Sequence, residues 1–190
     1  MAKVQIFFVK AGKHDPIGHA ITYFGKLKTG AAEMSHVGFL VDEIYTIESL
    51  FIGGIRHQTW ETAYKNRDVE VWDIDEFIMP HLWRVKLICD LNAMVGSFSG
   101  LYGFSKIPLQ IADALLSYAR KKPTFFFTKL SPVKYFPICS YLVGWGLWNF
   151  IPGSQRNDFR RWRCYSPDDL HDIFEELHYV KLVEKRKAIA

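Results

Sequence analysis

The chain is 190 residues long, 49% hydrophobic and 23% charged, which excludes a disordered segment, a collagen and a coiled coil and suits one domain, residues 1–190, with a buried core. Lys and Arg number 24 against 20 Asp and Glu, and the resulting +4 is too small to imply nucleic acid. No stretch of about 18 residues lacks charged and turn residues, and Val4 to Val9 is too short for a signal-peptide core, so the expectation is a soluble cytoplasmic protein. The three cysteines, Cys89, Cys139 and Cys164, are an odd count without paired spacing. That argues against a disulfide framework and a CxxC zinc site, and nothing in the sequence demands a cofactor.

Val4 to Val9 is β-branched and aromatic and predicts a strand, followed by a helix from Pro16 to about Lys28. Ser35 to Val41 and Ile44 to Leu50 predict the arms of a hairpin, and Val69 to Ile74 another strand. From Pro80 onward, Leu87, Leu91, Met94, Val95 and Phe98 recur at the spacing of one helical face, with an end near Ser99-Gly100. A second helix from Pro108 to about Arg120 is expected to bury Leu109, Ile111, Ala112, Leu115, Leu116 and Ala119. Pro123 to Pro137 predicts a long irregular loop, in which three adjacent phenylalanines beside lysines suggest either packing or contact with a membrane surface. Ile138 to about Trp148 is almost wholly apolar and predicts a buried helix. Ser166-Pro167-Asp168-Asp169 carries the signals of a helix start, and Tyr179 to Glu184 alternates like a last strand. Strands in runs, interrupted by helices that do not alternate with them, predict an α+β fold with an antiparallel sheet and packed helices.

Cys139 is the cysteine with a local reason to react. Pro137 places it in the first turn of its helix, where unpaired backbone N–H groups favour a thiolate and can face a developing oxyanion. A plain core cysteine beside Leu142 and Val143 is the competing reading. A thiolate nucleophile needs a base, and the base needs an orienting partner. His36 lies within a strand, and Glu48 in the next one reaches it if the hairpin register is right. A three-residue connection, Val41-Asp42-Glu43, would pair His36 with Glu48, Gly38 with Thr46 and Leu40 with Ile44 on one face. A two-residue turn at Asp42-Glu43 would place His36 and Glu48 on opposite faces; the first register is the one predicted, because it gives a consistent apolar second face with Phe39 opposite Tyr45 and Val37 opposite Ile47. Gly38 is expected to let a helix end or a substrate approach the sheet, and Gly144 and Gly146 to let the Cys139 helix pack closely.

Ser35-His36-Val37-Gly38-Phe39-Leu40, Ile47-Glu48-Ser49, Tyr102-Gly103, Ile138-Cys139-Ser140-Tyr141-Leu142-Val143 and Ser166-Pro167-Asp168-Asp169-Leu170 follow one another along the chain. This ordered set resembles the circularly permuted papain-like group of the NlpC superfamily, most closely its YiiX-like branch, in which His precedes the orienting residue and Cys comes last. The resemblance implies a permuted papain-like fold, Cys139 as nucleophile, His36 as general base and acid, and Glu48 as the group holding the imidazole. It also makes Ser35, Tyr102 and Ser140 candidate substrate contacts. Tyr141 stands where that branch usually has Glu, and Lys121 to Phe136 has no counterpart in it, which bears on substrate.

The activity these residues imply is cleavage of an amide in a peptide or cell-wall fragment through a thioacyl-enzyme. Two rivals are a lipid or thioester acyl hydrolase or transferase with the same triad, and a binding module that has lost turnover. Arg156, Arg160, Arg161 and Arg163, around Phe159 and Trp162, form the densest basic cluster, either a solvated loop or a weak site for a membrane or acidic partner. His14, Asp15 and His19 lack the spacing of a metal site on one helical face, and His171 with Asp168 and Asp172 reads as a helix start.

Overall fold

Val4–Lys10 (β1) is a near-continuous apolar run, and it lies at the centre of the sheet with Ile6 and Phe8 buried on one face and Phe7 and Val9 on the other. The computed structural model describes residues 2–29, 31–50, 54–96, 106–122, 124, 126–129, 139–162 and 165–188. Pro16–Thr29 (α1) follows, then Met34–Val41 (β2), Tyr45–Leu50 (β3), Gly54–Thr59 (β4), Trp60–Tyr64 (α2) and Val69–Ile74 (β5). His81–Met94 (α3), Lys106–Arg120 (α4), Phe126–Lys129 (α5), Cys139–Phe150 (α6), a 3-10 helix at Gly153–Phe159, Pro167–Glu176 (α7) and Val180–Arg186 (β6) complete the order. The strands form one six-stranded sheet in the order β4-β3-β2-β1-β5-β6, with every pairing antiparallel. The fold is therefore α+β, as composition and pattern predict.

The two faces of the sheet are covered differently. On one, Ile6, Phe8, Phe39, Ile47 and Ile74 join Leu87 of α3, Leu142, Val143 and Leu147 of α6 and Phe174 of α7 in the main core. On the other, Phe7, Val9, Leu40, Val69 and Val71 pack against Trp60 and Tyr64 of α2. Gly146 is the close-approach point of α6, because a Cβ there would lie 2.6 Å from the Phe39 ring. Gly144 plays the same part against Trp162, whose Cβ would be 2.8 Å away. Both glycines act as expected.

Several expectations need correction. The hairpin turns at Asp42 and Glu43, whose φ values of 51° and 60° lie in the left-handed region, and Ile44 is an extra exposed residue after them. Val41 therefore pairs with Tyr45 and Phe39 with Ile47, a shift of two residues from the predicted register that keeps every side chain on its predicted face. α3 ends at Met94, where Val95 turns extended and Gly96 takes φ 79°, short of the predicted Ser99-Gly100. α4 turns Leu115 and Ala119 outward rather than inward.

Candidate active site

Pairing between β2 and β3 stops at Phe39 and Ile47, although β2 runs on to Met34 and β3 to Leu50. The two strands part where His36 and Glu48 stand. These two side chains share a face with Gly38, Phe7 and Val9, since Val9 pairs with His36 and Phe7 with Gly38. α6 packs on β2 and β3 from the opposite side of the sheet, within the main core. At the parting the Cys139 side chain, at the first residue of α6, comes within hydrogen-bonding reach of His36.

Glu48 orients the ring. Its Oε2 lies 2.6 Å from His36 Nε2, which leaves Nδ1 as the nitrogen for the sulfur. The carboxylate is fully buried and receives Thr46 Oγ1 at 2.6 Å and Gln58 Nε2 at 2.8 Å on Oε1, with the Tyr64 hydroxyl donating to Oε2. Burial opposes its charge, but the hydrogen bond and charge of His36, and the hydroxyls of Thr46 and Tyr64, hold its carboxyl down at about 2. Burial combined with the neighbouring carboxylate pushes the Tyr64 hydroxyl far up, so it stays a proton donor. His36 shows the converse balance. Burial disfavours the imidazolium, yet a negatively charged Cys139 sulfur in hydrogen-bond contact, followed by Glu48, raises the ring to about 10. Thiol, imidazole and carboxylate thus form an array that favours a thiolate–imidazolium pair.

Gly38 does not open the sheet to a helix end or a substrate. A Cβ there would lie 2.6 Å from the Phe7 ring and 3.0 Å from the Glu48 Cβ, so the missing side chain is what lets Glu48 and Phe7 close over the strand. Ser35 lines the cleft, but its hydroxyl donates to the Val9 carbonyl at 3.1 Å. Ser140 is fully buried, and its hydroxyl anchors α6 to the Tyr165 carbonyl at 2.6 Å, so that hydroxyl is a structural contact and not a substrate contact. Tyr102, Arg163 and Cys164, like Pro137, lie outside the described residues.

The array borders a cleft of about 280 Å³. Ile17 and Ile21 of α1, Leu50 of β3 and Ala63 of α2 give it apolar lining, and the Asp15–Arg67 ion pair, 3.1 Å, lines it as well. His36 meets the cleft with a 17% exposed side chain, while Cys139 is only 3% exposed.

α7 holds the start of β2. Ser166 and Asp169 form a capping box, and the Asp169 carboxylate also takes a buried ion pair from Lys28 at 2.7 Å. Asp168 Oδ1 accepts the backbone N–H groups of Glu33 at 2.8 Å and Met34 at 3.2 Å, two residues before His36. The helix-start motif therefore also fixes the strand that carries the imidazole.

Other candidate bases stand apart from this array. His57 pairs with Ile47, so it projects from the face opposite Glu48 and bonds Asn92 at 2.7 Å; His14 and His19 are exposed. Arg156 stacks over Trp148 at 4.6 Å, Arg160 and Arg161 are exposed, and the Asp158 carboxylate receives the Tyr179 hydroxyl. Among the described residues, His171, Asp172 and Glu175 bring metal-ligand atoms within 4.8 Å of one another. His171 Nε2 is already committed to Glu70 at 2.8 Å.

Thr46, Gln58 and Tyr64 are the site residues that sequence reasoning missed. β4, with the sequence Gly-Ile-Arg-His-Gln-Thr, lacks a β-branched run, and only the Trp60/Tyr64 spacing of four residues hints at a short helix beside it. Compared with known families and with curated proteins, the chain matches no family model and no curated sequence.

Proposed function

We propose that this chain is a cysteine hydrolase of the permuted papain-like, YiiX-like type, cleaving an amide in a peptide or cell-wall fragment. The observation that carries the reading is the convergence of Cys139, His36 and Glu48 at the parting of β2 and β3, from opposite sides of one sheet. A hairpin pair and a helix-start cysteine distant from it in sequence, with the imidazole shared between sulfur and buried carboxylate, match what nucleophilic thiol chemistry needs.

In the mechanism, the Cys139 thiolate attacks the carbonyl carbon, and backbone N–H groups at the start of α6 receive the oxyanion. The His36 imidazolium gives its proton to the leaving amine as the C–N bond breaks, which leaves a thioester on Cys139 and a neutral ring. His36 then takes a proton from water, whose oxygen attacks the thioester, and keeps it as the C–S bond breaks and the sulfur leaves as a thiolate, which restores the ion pair. Glu48 remains an anion throughout and steadies the ring.

Incubation with a panel of peptide and cell-wall amides, followed by mass spectrometry, tests this reading. Product release with a transient acyl adduct on Cys139, lost in Cys139→Ser and His36→Ala, is the expected result. Turnover that survives either substitution contradicts it.

A further inference from the structure

α4 is built the wrong way round for a helix facing water. Its buried residues include Asp113 and Ser117, 2% and 1% exposed, while Leu115 and Tyr118 are 53% and 68% exposed. The polar groups inside have a purpose. Ser117 Oγ donates to the Asp113 carbonyl at 2.6 Å and accepts the Thr124 N–H at 2.8 Å, Thr124 Oγ1 donates to the same carbonyl at 3.1 Å, and Asp113 Oδ1 accepts the Phe127 N–H at 2.8 Å. These bonds make a fixed corner between α4 and α5, and it displays Phe126 at 58% and Phe127 at 36% exposure.

Charge accompanies the apolar surface. Arg120, Lys121 and Lys122 are exposed at the turn of the corner, and the sequence from Ala114 to Lys129 holds no carboxylate. Aromatic and aliphatic side chains next to a purely cationic turn are complementary to the headgroup and upper acyl region of an anionic bilayer. An apolar protein partner would need only the apolar half of this surface.

From this we infer that the α4–α5 corner docks on an anionic lipid bilayer, with Phe126, Phe127, Tyr118 and Leu115 entering the interface and Arg120, Lys121 and Lys122 meeting lipid phosphates. α1 packs on α4 and also supplies Ile17 and Ile21 to the cleft, so one helix lies between the docking surface and the cleft. The inference does not rest on thiol chemistry, and Cys139→Ser is expected to dock equally well.

Flotation of the full chain with vesicles of phosphatidylcholine alone, or with added phosphatidylglycerol, tests it. Binding is expected only with phosphatidylglycerol, weakening as salt rises. Replacing Arg120, Lys121 and Lys122 together by Gln should weaken it about 100-fold, and Phe126→Ser about tenfold, with the circular dichroism spectrum and Cys139 alkylation unchanged. Absence of binding to anionic vesicles at low salt overturns the inference, as does binding indifferent to both sets of substitutions. Self-association lost on Phe126→Ser, without vesicle binding, would assign the surface to a second copy instead.

Discussion

Glu48 reaches His36 diagonally across the sheet, over the Cβ-less Gly38, and the two carry a 2.6 Å contact without being paired on their strands. Gly38→Ala puts a methyl group 2.6 Å from a Phe7 ring that is fully buried against Trp60 and Tyr64, and 3.0 Å from the Glu48 Cβ. Neither neighbour is a flexible surface tip. The substitution should cost about 1–3 kcal/mol in denaturant unfolding and slow Cys139 alkylation. Unchanged stability and reactivity would show that the carboxylate does not depend on this close approach.

Glu48→Gln keeps the shape of the side chain and removes the charge that steadies the imidazolium. Turnover on any amide substrate should fall by at least about 100-fold, and the upper pH limb should move down. An amide at this position also removes a linkage. Against burial, His36, Thr46 and Tyr64 lower the Glu48 carboxyl to about 2 from an ordinary 4.5, so the native chain gains stability present above about 4.5 and lost as pH falls through 2. Acid unfolding of Glu48→Gln, followed by fluorescence, should be less steep in that window.

The hairpin shows what the sequence makes legible and what it does not. Apolar alternation sets the faces, so His36 and Glu48 are correctly placed on one side even though the register is two residues off. The turn accounts for the difference. Asp42 and Glu43 adopt left-handed backbone without glycine, and only a tertiary bond such as Asp42 N–H to the Lys3 carbonyl, 2.9 Å, singles out this connection. α4 fails differently, because periodicity reports that Leu115 lies on an apolar face but not whether that face meets protein or solvent. Cys139 and His36 were legible from local motifs, whereas the Gln58 and Tyr64 donors depended on a strand and a five-residue helix with weak signals.

Raised to about 10 against the burial that opposes its charge, the His36 ring stays protonated through neutral pH. Turnover should therefore fall as pH rises through about 10, where the imidazolium loses the proton it gives to the leaving amine. Alkylation, which needs only the thiolate, should not fall there. Parallel pH profiles of turnover and of iodoacetamide reaction check this, and a common loss of both above that pH would point to unfolding or to a different acid.

Asp168 is buried, and burial raises its carboxyl above the usual range while the Glu33 and Met34 N–H groups pull the other way. Asp168→Ala leaves both N–H groups unpaired, which should cost about 1–3 kcal/mol and loosen the start of β2 beside His36. Asp168→Asn keeps an acceptor and should lose much less. Hydrogen exchange at Glu33 and Met34 distinguishes the two variants, and equal protection in all three proteins would contradict the clamp.

The measurement closest to the central claim is the alkylation rate of Cys139 by iodoacetamide at pH 6, read by peptide mass mapping with Cys89 on the exposed side of α3 as internal reference. A thiolate held by His36 predicts that buried Cys139 reacts faster than exposed Cys89, and that His36→Ala reverses the order. Cys139 reacting no faster than Cys89, with His36→Ala making no difference, would contradict the assignment of this sulfur as a nucleophile.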